Sequence, residues 1–320
     1  MTLPTGYKVS PSRRYSMGIR FASKTDNWGA ILDGGSRYTA DGRIWKTTFE
    51  GILDELSKLG YRGFDCAEED LAPYLRDKVR FKRMAADRGL EFVSSWAWLL
   101  PKTMRTSERL WLVLPETDPA GYALLAAAGF GPGDLVEDLK RVRKLADDMV
   151  GMGARSITLG GPIIQRKDIH ERHYGMVASM LDDLVGSTDR LGLKVALHPH
   201  MSTLVQGTDD VERLFDHINS GSIGVCLDTG HVAASGSDVV RFTRKYLRRI
   251  THVHLKDFEF RTGRFRELGR GDLKLRAVIK ILVDGGYNGW ITAETDTPAS
   301  SPLESDRSNL AFLTRALGPR

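Results

Sequence analysis

The sequence of 320 residues predicts an α/β protein of the (β/α)8 TIM-barrel class, with an inserted segment after the third strand. Eight short stretches rich in β-branched and aromatic residues alternate with eight stretches of helical periodicity. Such alternation requires a parallel sheet covered by helices, and the number eight favours closure into a barrel. An open, doubly wound sheet is the alternative. No GxGxxG pattern follows the first strand, which counts against dinucleotide binding.

The elements follow one another in a regular order along the chain. Gly60 and Gly89 mark the ends of the first two helices, because glycine readily adopts the left-handed conformation after a last helical turn. The predicted strands lie at 15–21, 63–66, 91–96, 156–159, 194–198, 223–227, 250–254 and 290–294. The predicted helices lie at 45–59, 71–88, 134–152, 171–191, 209–218, 238–248, 273–284 and 302–317.

One segment, 99–133, interrupts this rhythm. It is too long for a barrel loop and contains Trp111, four prolines and the apolar stretch 123–130. Long loops in compact domains are usually functional or disordered, and this apolar content favours function. We therefore expect one barrel domain over residues 1–320, with 99–133 inserted as a lid or an interaction element.

Composition excludes several classes of protein. The hydrophobic fraction of 41% is typical of a globular chain, and the net charge of +5 is small for this length. The basic residues are scattered, apart from short clusters such as 241–249 that fit a solvated helix face, so we expect no nucleic-acid partner. Because no run approaches about 18 apolar residues, we expect no membrane association. The two cysteines lack CxxC spacing, which favours a reducing, cytoplasmic location.

Potential ligands and acid/base groups cluster at the ends of the last four predicted strands. Five of the eight histidines of the chain lie there, and none precedes His170. In a TIM barrel the working groups lie at the carboxyl ends of the strands. The residues concerned are His198 and His200 at strand five, Asp228 and His231 at strand six, His252, His254 and Lys256 at strand seven, and Glu294 and Asp296 at strand eight.

The alternation of side chains along a strand decides which of these residues can meet. If Val195 faces the helices, the last inward-facing residue of each of the four strands points to the barrel axis, where the four side chains can meet. Two imidazoles and two carboxylates suit Mn²⁺, Co²⁺, Fe²⁺ or Zn²⁺ better than the all-oxygen shell of Ca²⁺. The predicted metal ligands are His198, Asp228, His254 and Glu294.

Other polar residues surround this set. His252, one layer deeper, is interpreted as a packed histidine beside the ligands. His200 and His231 lie just beyond their strands, where an imidazole can orient a ligand or contact substrate. Lys256 is a candidate to polarise a carbonyl or to protonate a leaving hydroxyl, with a surface lysine as the alternative. The basic, Gly-rich loop after strand seven, with Arg264, Arg266 and Arg270, is a candidate to hold an anionic or hydroxyl-rich substrate, with a plain solvent loop as the alternative.

Four segments at these strand ends carry a recognisable pattern: VALHPHMSTLVQ, VCLDTGHVAASGSD, RITHVHLKD and GGYNGWITAETDTP. They resemble the sugar phosphate isomerase/epimerase superfamily of xylose-isomerase-like TIM barrels, and within it the inosose dehydratases, which remove water from a keto-inositol. The likeness spans about residues 195–298 and extends more loosely over 51–96. Segment 99–133 has no counterpart in this pattern.

The resemblance implies a divalent metal at the four strand ends, most often Mn²⁺ or Co²⁺, with Mg²⁺, Fe²⁺ and Zn²⁺ as further possibilities. In the ketose-epimerase branch the ligand on strand five is a glutamate that also serves as one of two opposed acid/base groups. This chain has His198 there, as in the dehydratase-like branch. Epimerisation needs a base on each face of the carbon, whereas elimination needs one base and one acid, so His198 favours a lyase.

The expected substrate is a ketosugar or keto-cyclitol that chelates the metal through its carbonyl and a neighbouring hydroxyl. Glu294 or His200 would remove the α-proton, and Lys256 or His231 would assist departure of the β-substituent. If that substituent is a hydroxyl, the enzyme is an inosose dehydratase-like lyase. If it is a larger aglycone, the enzyme is a lyase that cleaves the C-glycosidic bond of a 3-ketoglycoside.

Three other functions are open alternatives. The first is a ketose isomerase or 3-epimerase that uses the same metal and enediolate. The second is a DNA-repair endonuclease with a similar DTxH segment, although its further histidines on early strands are missing and phosphate binding would require a stronger positive face. The third is a catalytically silent binding subunit. We expect a homo-oligomer, with a second small subunit as a further alternative.

Overall fold

The structure is a computed structural model, and it describes residues 18–33, 35–39, 41–99, 132–164 and 166–317. Residues 1–17 and nearly all of the predicted insertion at 99–133 lie outside the described residues. The role expected for that insertion therefore stays a prediction.

Eight parallel strands close into a barrel in sequence order, with the first strand paired to the last. The predicted fold class is confirmed by this closure. The strands are β1 (Arg20–Lys24), β2 (Gly63–Ala67), β3 (Glu91–Trp98), β4 (Ser156–Gly160), β5 (Lys194–His198), β6 (Gly224–Asp228), β7 (Ile250–Leu255) and β8 (Trp290–Ala293).

Apart from the short helices Glu68–Leu71 and Thr229–Ala234, eight helices of the described residues surround the barrel, one after each strand. In the first, Thr48 accepts a hydrogen bond from the Gly51 amide at the N-terminus, and Gly60 ends the helix with a φ of 101°. Its apolar face is buried against the barrel. The helices are α1 (Phe49–Leu59), α2 (Lys78–Ala86), α3 (Pro132–Met152), α4 (Glu171–Thr188), α5 (Thr208–His217), α6 (Val239–Tyr246), α7 (Leu275–Asp284) and α8 (Pro302–Leu317).

Three predicted elements near the N-terminus have different bounds in the structure. The first strand begins at Arg20 and continues to Lys24, so its carboxyl end lies three residues beyond the predicted end at 21. The helix predicted at 45–59 begins at Phe49, because Thr48 caps it. The helix predicted at 71–88 is broken, because Asp77 caps a new helix by accepting a hydrogen bond from the Arg80 amide.

Two small β-sheets lie in segments that the sequence predicts to be loops. A three-stranded antiparallel sheet follows β1, formed by Ala30–Asp33, Ser36–Tyr38 and Ile44–Trp45. A hairpin follows β7, in which Asp257–Glu259 pairs with Arg264–Arg266. Strands of only two to four residues carry too little alternation to be recognised from sequence. Both sheets follow the carboxyl end of a barrel strand, on the face where catalytic loops lie in TIM barrels.

The hydrophobic core lies mainly between the barrel and its helices. The barrel interior is more polar, and its inward-facing positions follow the strand register: His254 is paired with Asp228, and His252 with Cys226. Within the described part of the chain, no helix is both long and apolar enough to cross a membrane.

Candidate metal centre

The four predicted ligands lie together at the carboxyl end of the barrel. His198 and Asp228 are the last residues of β5 and β6, His254 is the penultimate residue of β7, and Glu294 directly follows β8. Each side chain is at most 2% exposed. The parallel register brings Asp228 opposite His254, so adjacent strands present their ligands at the same height.

The donor atoms of these residues converge on one point. His254 Nδ1 lies 3.2 Å from His198 Nε2 and 3.2 Å from Glu294 Oε2. His198 Nε2 is 3.3 Å from Asp228 Oδ2, which lies 3.9 Å from His254 Nδ1. Glu294 Oε2 is buried and has no hydrogen-bond partner among the described residues. Because a buried carboxylate oxygen without a donor is costly, this set of two nitrogens and two oxygens fits a divalent cation.

The charges within the set also suit a cation. Burial alone would raise the pKa of Asp228, but Lys256 and the hydrogen bond from His198 hold that pKa below its ordinary value. Burial lowers the pKa of His254 to about 4, against the opposing effects of Glu294 and Asp65. At neutral pH the carboxylate is therefore ionised and the imidazole is neutral. These are the protonation states that metal binding requires.

Asp65, in the middle of β2, contacts the centre from the opposite side of the barrel. Its Oδ2 lies 3.0 Å from His254 Nε2 and 2.8 Å from His252 Nε2. Burial would raise the pKa of Asp65, but the hydrogen bonds from His252 and His254 lower it to about 2. Asp65 is therefore an ionised acceptor behind two of the histidines.

Two lysines hold the other oxygen of Glu294. Glu294 Oε1 accepts a hydrogen bond from Lys24 Nζ at 2.8 Å and forms an ion pair with Lys256 Nζ at 3.1 Å. Burial would raise the pKa of Glu294, but Lys24 and Lys256 hold it well below its usual range. Lys24 is only 3% exposed and also lies 4.6 Å from the centre of the Trp96 ring. The carboxylate is thus fixed with one oxygen on the lysines and one oxygen toward His254.

Lys256 is fully buried at the edge of the centre. Its Nζ lies 2.6 Å from Asp296 Oδ2 and 3.0 Å from His231 Nε2. The side chain passes against Gly230, where an added Cβ would come within 2.7 Å of the lysine stem. Phe265 of the hairpin covers the ammonium group at 4.5 Å. The alternative of a surface lysine at this position is therefore wrong.

His200 and His231 form a pair of contacting rings beside the ligands, with ring centres 3.6 Å apart and ring planes tilted by 37°. The Nδ1 atom of His200 lies 2.7 Å from the Met201 carbonyl oxygen, which can only accept, so this nitrogen carries the proton. The Nε2 atom of His200 consequently keeps its lone pair. Burial, reinforced by His198 and Lys256, lowers the pKa of His200 well below its ordinary value, and burial with His200 does the same for His231.

All seven residues predicted for the site are thus buried in one cluster, but sequence reasoning missed two that contact it. Lys24 was missed because the predicted first strand ended at Phe21. Asp65 was missed although it is an acidic residue inside a predicted strand, a position where a charge requires a partner. The basic loop after strand seven contributes no arginine to this cluster: Arg266 pairs with Glu259, and Arg264 and Arg270 are exposed.

Two curated relatives cover most of the chain. The inosose dehydratase of Clostridium perfringens is 25% identical over 285 residues, which cover 81% of this chain and 86% of the relative. Inosose dehydratase 1 of Bacillus cereus is 27% identical over 302 residues, which cover 85% of this chain and 90% of the relative.

Solved structures show the same fold at lower identity. A probable 3-DHS dehydratase of Bacillus anthracis, AsbF, superposes with a TM-score of 0.66 at 14% identity, covering 92% of this chain and 98% of its own. The IOLI protein, solved with a zinc atom, has a TM-score of 0.65 at 14% identity, covering 93% and 98%. The sequence profile of the xylose isomerase-like TIM barrel family matches residues 53–316. The chain therefore belongs to the xylose isomerase-like TIM barrel family.

Proposed function

We propose that this protein is a divalent-metal-dependent dehydratase that removes water from a keto-cyclitol or a related ketosugar. The observation that carries the proposal is the convergence of two imidazole nitrogens and two carboxylate oxygens, with Glu294 Oε2 buried and without a hydrogen-bond partner among the described residues. The names of the two bacterial relatives support the reaction class.

The ion would be held by His198 Nε2, Asp228 Oδ2, His254 Nδ1 and Glu294 Oε2. Three of these residues, Asp228, His254 and Glu294, place one donor atom each within 4.8 Å of one another, and His198 Nε2 adjoins two of them. The donor set suits Mn²⁺, Co²⁺, Fe²⁺ or Zn²⁺. When bound, the ion supplies a Lewis acid for the carbonyl group of the substrate.

His200 is the general base in this proposal. Its Nδ1 proton is held by the Met201 carbonyl, so Nε2 presents a lone pair beside the ligand cluster. Glu294, the other candidate, has one oxygen on two ammonium groups and the other oxygen in the ligand cluster. A carboxylate with both oxygens engaged is poorly placed to take a proton, which favours His200.

Lys256 is the general acid. Its ammonium is the buried donor that spans the site from Glu294 to His231, at 3.1 and 3.0 Å. In the reaction the α-carbon loses its proton to His200 Nε2, the bond from the β-carbon to oxygen breaks, and the departing hydroxyl takes a proton from Lys256 Nζ and leaves as water. The product is an enone. Exchange with solvent then removes the proton from His200 and restores the one on Lys256.

The ligand assignment is tested by metal binding. His254→Ala removes a central donor, so we expect saturable binding of Mn²⁺ to be lost while the protein stays folded. His217→Ala is the matched control, because His217 lies at the end of α5 and pairs with Glu171 outside the cluster. Titration calorimetry with circular dichroism measures both properties. Full metal occupancy of the His254 variant would refute the assignment.

The reaction is tested with keto-inositols in the presence of Mn²⁺. Wild-type protein should produce an enone absorbance, and His200→Asn should lower kcat by about 10²- to 10⁴-fold with metal binding unchanged. His217→Asn is the control, since this histidine lies at the end of α5 and pairs with Glu171. If substrate in D₂O gains deuterium at the α-carbon without loss of water, the dehydratase is ruled out in favour of an isomerase or epimerase.

A further inference from the structure

We infer that Asp65 is a positioning residue that fixes the tautomer and orientation of His254 so that its Nδ1 lone pair points into the ligand cluster. The inference rests on the proposed function, because it gives Asp65 a role only if His254 binds a metal. It assigns a role to a residue of β2, on the half of the barrel where sequence analysis placed no site residue.

The geometry places Asp65 on the far side of the His254 ring from the ligand cluster. His254 Nδ1 faces His198 and Glu294, both at 3.2 Å. His254 Nε2, on the opposite edge of the ring, lies 3.0 Å from Asp65 Oδ2. Asp65 and His254 are both fully buried, so water does not compete for this hydrogen bond. The imidazole is therefore held between the carboxylate of one strand and the donor atoms of three others.

Hydrogen-bond chemistry then decides the tautomer. A neutral imidazole has one N–H group and one lone pair, and an ionised carboxylate can only accept. The proton of His254 must therefore lie on Nε2, which donates to Asp65. The lone pair is left on Nδ1, the only ring nitrogen that faces the ligand cluster. Without Asp65, the proton could move to Nδ1 and block the nitrogen that the metal requires.

A second histidine shares the same carboxylate oxygen. His252 Nε2 lies 2.8 Å from Asp65 Oδ2, and Thr292 Oγ1 lies 3.5 Å from the same nitrogen. This second donor orients the carboxylate and limits its rotation. His252, in the layer below, therefore fixes the Asp65 carboxylate, and Asp65 fixes the ligand His254 in the layer above.

Asp65, His252 and His254 also form a group whose donor atoms lie within 4.8 Å of one another, which raises the alternative of a second metal ion. The distances favour hydrogen bonds instead. Both histidine nitrogens approach one carboxylate oxygen at 2.8 and 3.0 Å, the usual N–H···O separation, whereas the donor atoms of the ligand cluster lie 3.2 to 3.9 Å apart. An ion there would also compete for the N–H proton that sets the His254 tautomer.

Two substitutions test the inference. Asp65→Asn keeps one acceptor oxygen and the shape of the side chain, whereas Asp65→Ala removes the acceptor. We expect Mn²⁺ to bind about 10- to 100-fold more weakly than in wild type, with alanine more severe than asparagine and no change in secondary structure. Asp210→Asn is the matched control, because Asp210 is also a buried, hydrogen-bonded carboxylate but pairs with Arg166 and Tyr174 and with none of the four ligands.

The ring-nitrogen chemical shifts of ¹⁵N-histidine-labelled protein give a readout that a merely structural role would not change. In wild type, His254 should show its proton on Nε2, and in Asp65→Ala it should show a mixture of tautomers or the proton on Nδ1. Calorimetry should give one Mn²⁺ per chain.

The outcomes separate this inference from the proposed function. If wild type binds no divalent metal, the proposed function fails and the inference with it. If wild type binds metal and both Asp65 variants bind it equally well with an unchanged tautomer, only the inference is overturned. Two ions per chain in wild type, with one lost in the Asp65 variants, would overturn it in favour of a second metal centre.

Discussion

The two halves of the barrel contribute different chemistry to the candidate centre. The strands β5 to β8 supply the four donor atoms that converge, each from the carboxyl end of its strand. The first half contributes Lys24 and Asp65, whose polar atoms contact the donors from behind. Neither residue belongs to the converging set of donor atoms.

This difference shows that a barrel can supply the ligands of a site from one half of its strands and the residues that support those ligands from the other half. A buried carboxylate or imidazole is costly unless its remaining polar atoms are satisfied. Lys24 satisfies the oxygen of Glu294 that faces away from the cluster, and Asp65 satisfies the nitrogen of His254 that faces away from it. The second half of the barrel thus forms the site, and the first half fixes its geometry.

The largest change in stability is expected from removal of the Lys24 charge. Lys24→Met leaves Glu294 with one ammonium partner instead of two in a buried environment. Because breaking a buried ion pair costs about 3 to 5 kcal/mol and Lys256 compensates in part, we expect a loss in the free energy of unfolding of about 2 to 3 kcal/mol. Urea denaturation of the metal-free protein measures it.

Lys58→Met is the control for this substitution. Lys58 pairs with Glu55 on the exposed face of α1, where water screens the interaction. We expect no measurable change in its denaturation midpoint. If Lys24→Met is equally neutral, Lys24 does not stabilise the buried charge of Glu294, and the division between the two halves is weakened.

A smaller effect is expected at Asp306, whose carboxylate accepts hydrogen bonds from Ser23, Asn27 and Trp28. These donors are neutral, so burial dominates and raises the pKa of Asp306 to about 6, whereas the histidines lower that of Asp65 to about 2. The folded state therefore binds the Asp306 proton more tightly than the unfolded chain does. The stability from this proton is fully present below about pH 4 and is lost as the pH rises through about 6.

We therefore expect the free energy of unfolding of wild type to increase by about 1 kcal/mol from pH 7 to pH 5 relative to Asp306→Asn, which cannot titrate. Urea denaturation of both proteins at the two pH values measures this difference. Any loss in the free energy of unfolding that the substitution causes equally at both pH values cancels in this comparison. Parallel pH profiles for the two proteins would contradict the raised pKa.

The site residues in the second half of the barrel could be predicted from sequence because their positions follow from local patterns. Strand alternation and the common edge of a parallel sheet are enough to group His198, Asp228, His254 and Glu294. The short β-branched strands also have clear ends, and 194–198 was predicted without error. Counting the β/α units predicted the barrel, since a parallel sheet of eight units favours closure.

The first half was harder to predict because its site residues act across the barrel. Asp65 contacts His254 from 189 positions earlier in the chain, a pairing that no local pattern indicates. Lys24 lies at a strand end that is followed by a polar turn, and an error of three residues in that end hid it. The contact of the His200 ring with the His231 ring likewise depends on how the segments after β5 and β6 pack together, rather than on either sequence alone.

The most direct test of the central claim is an anomalous-difference map from crystals of the protein grown with Mn²⁺ or Co²⁺. We expect one peak per chain, within about 2.0 to 2.3 Å of His198 Nε2, Asp228 Oδ2, His254 Nδ1 and Glu294 Oε2, with Asp65 in contact with His254 but not with the ion. A peak bound by Asp65 and His252, or no peak at the four strand ends at saturating metal, would contradict it.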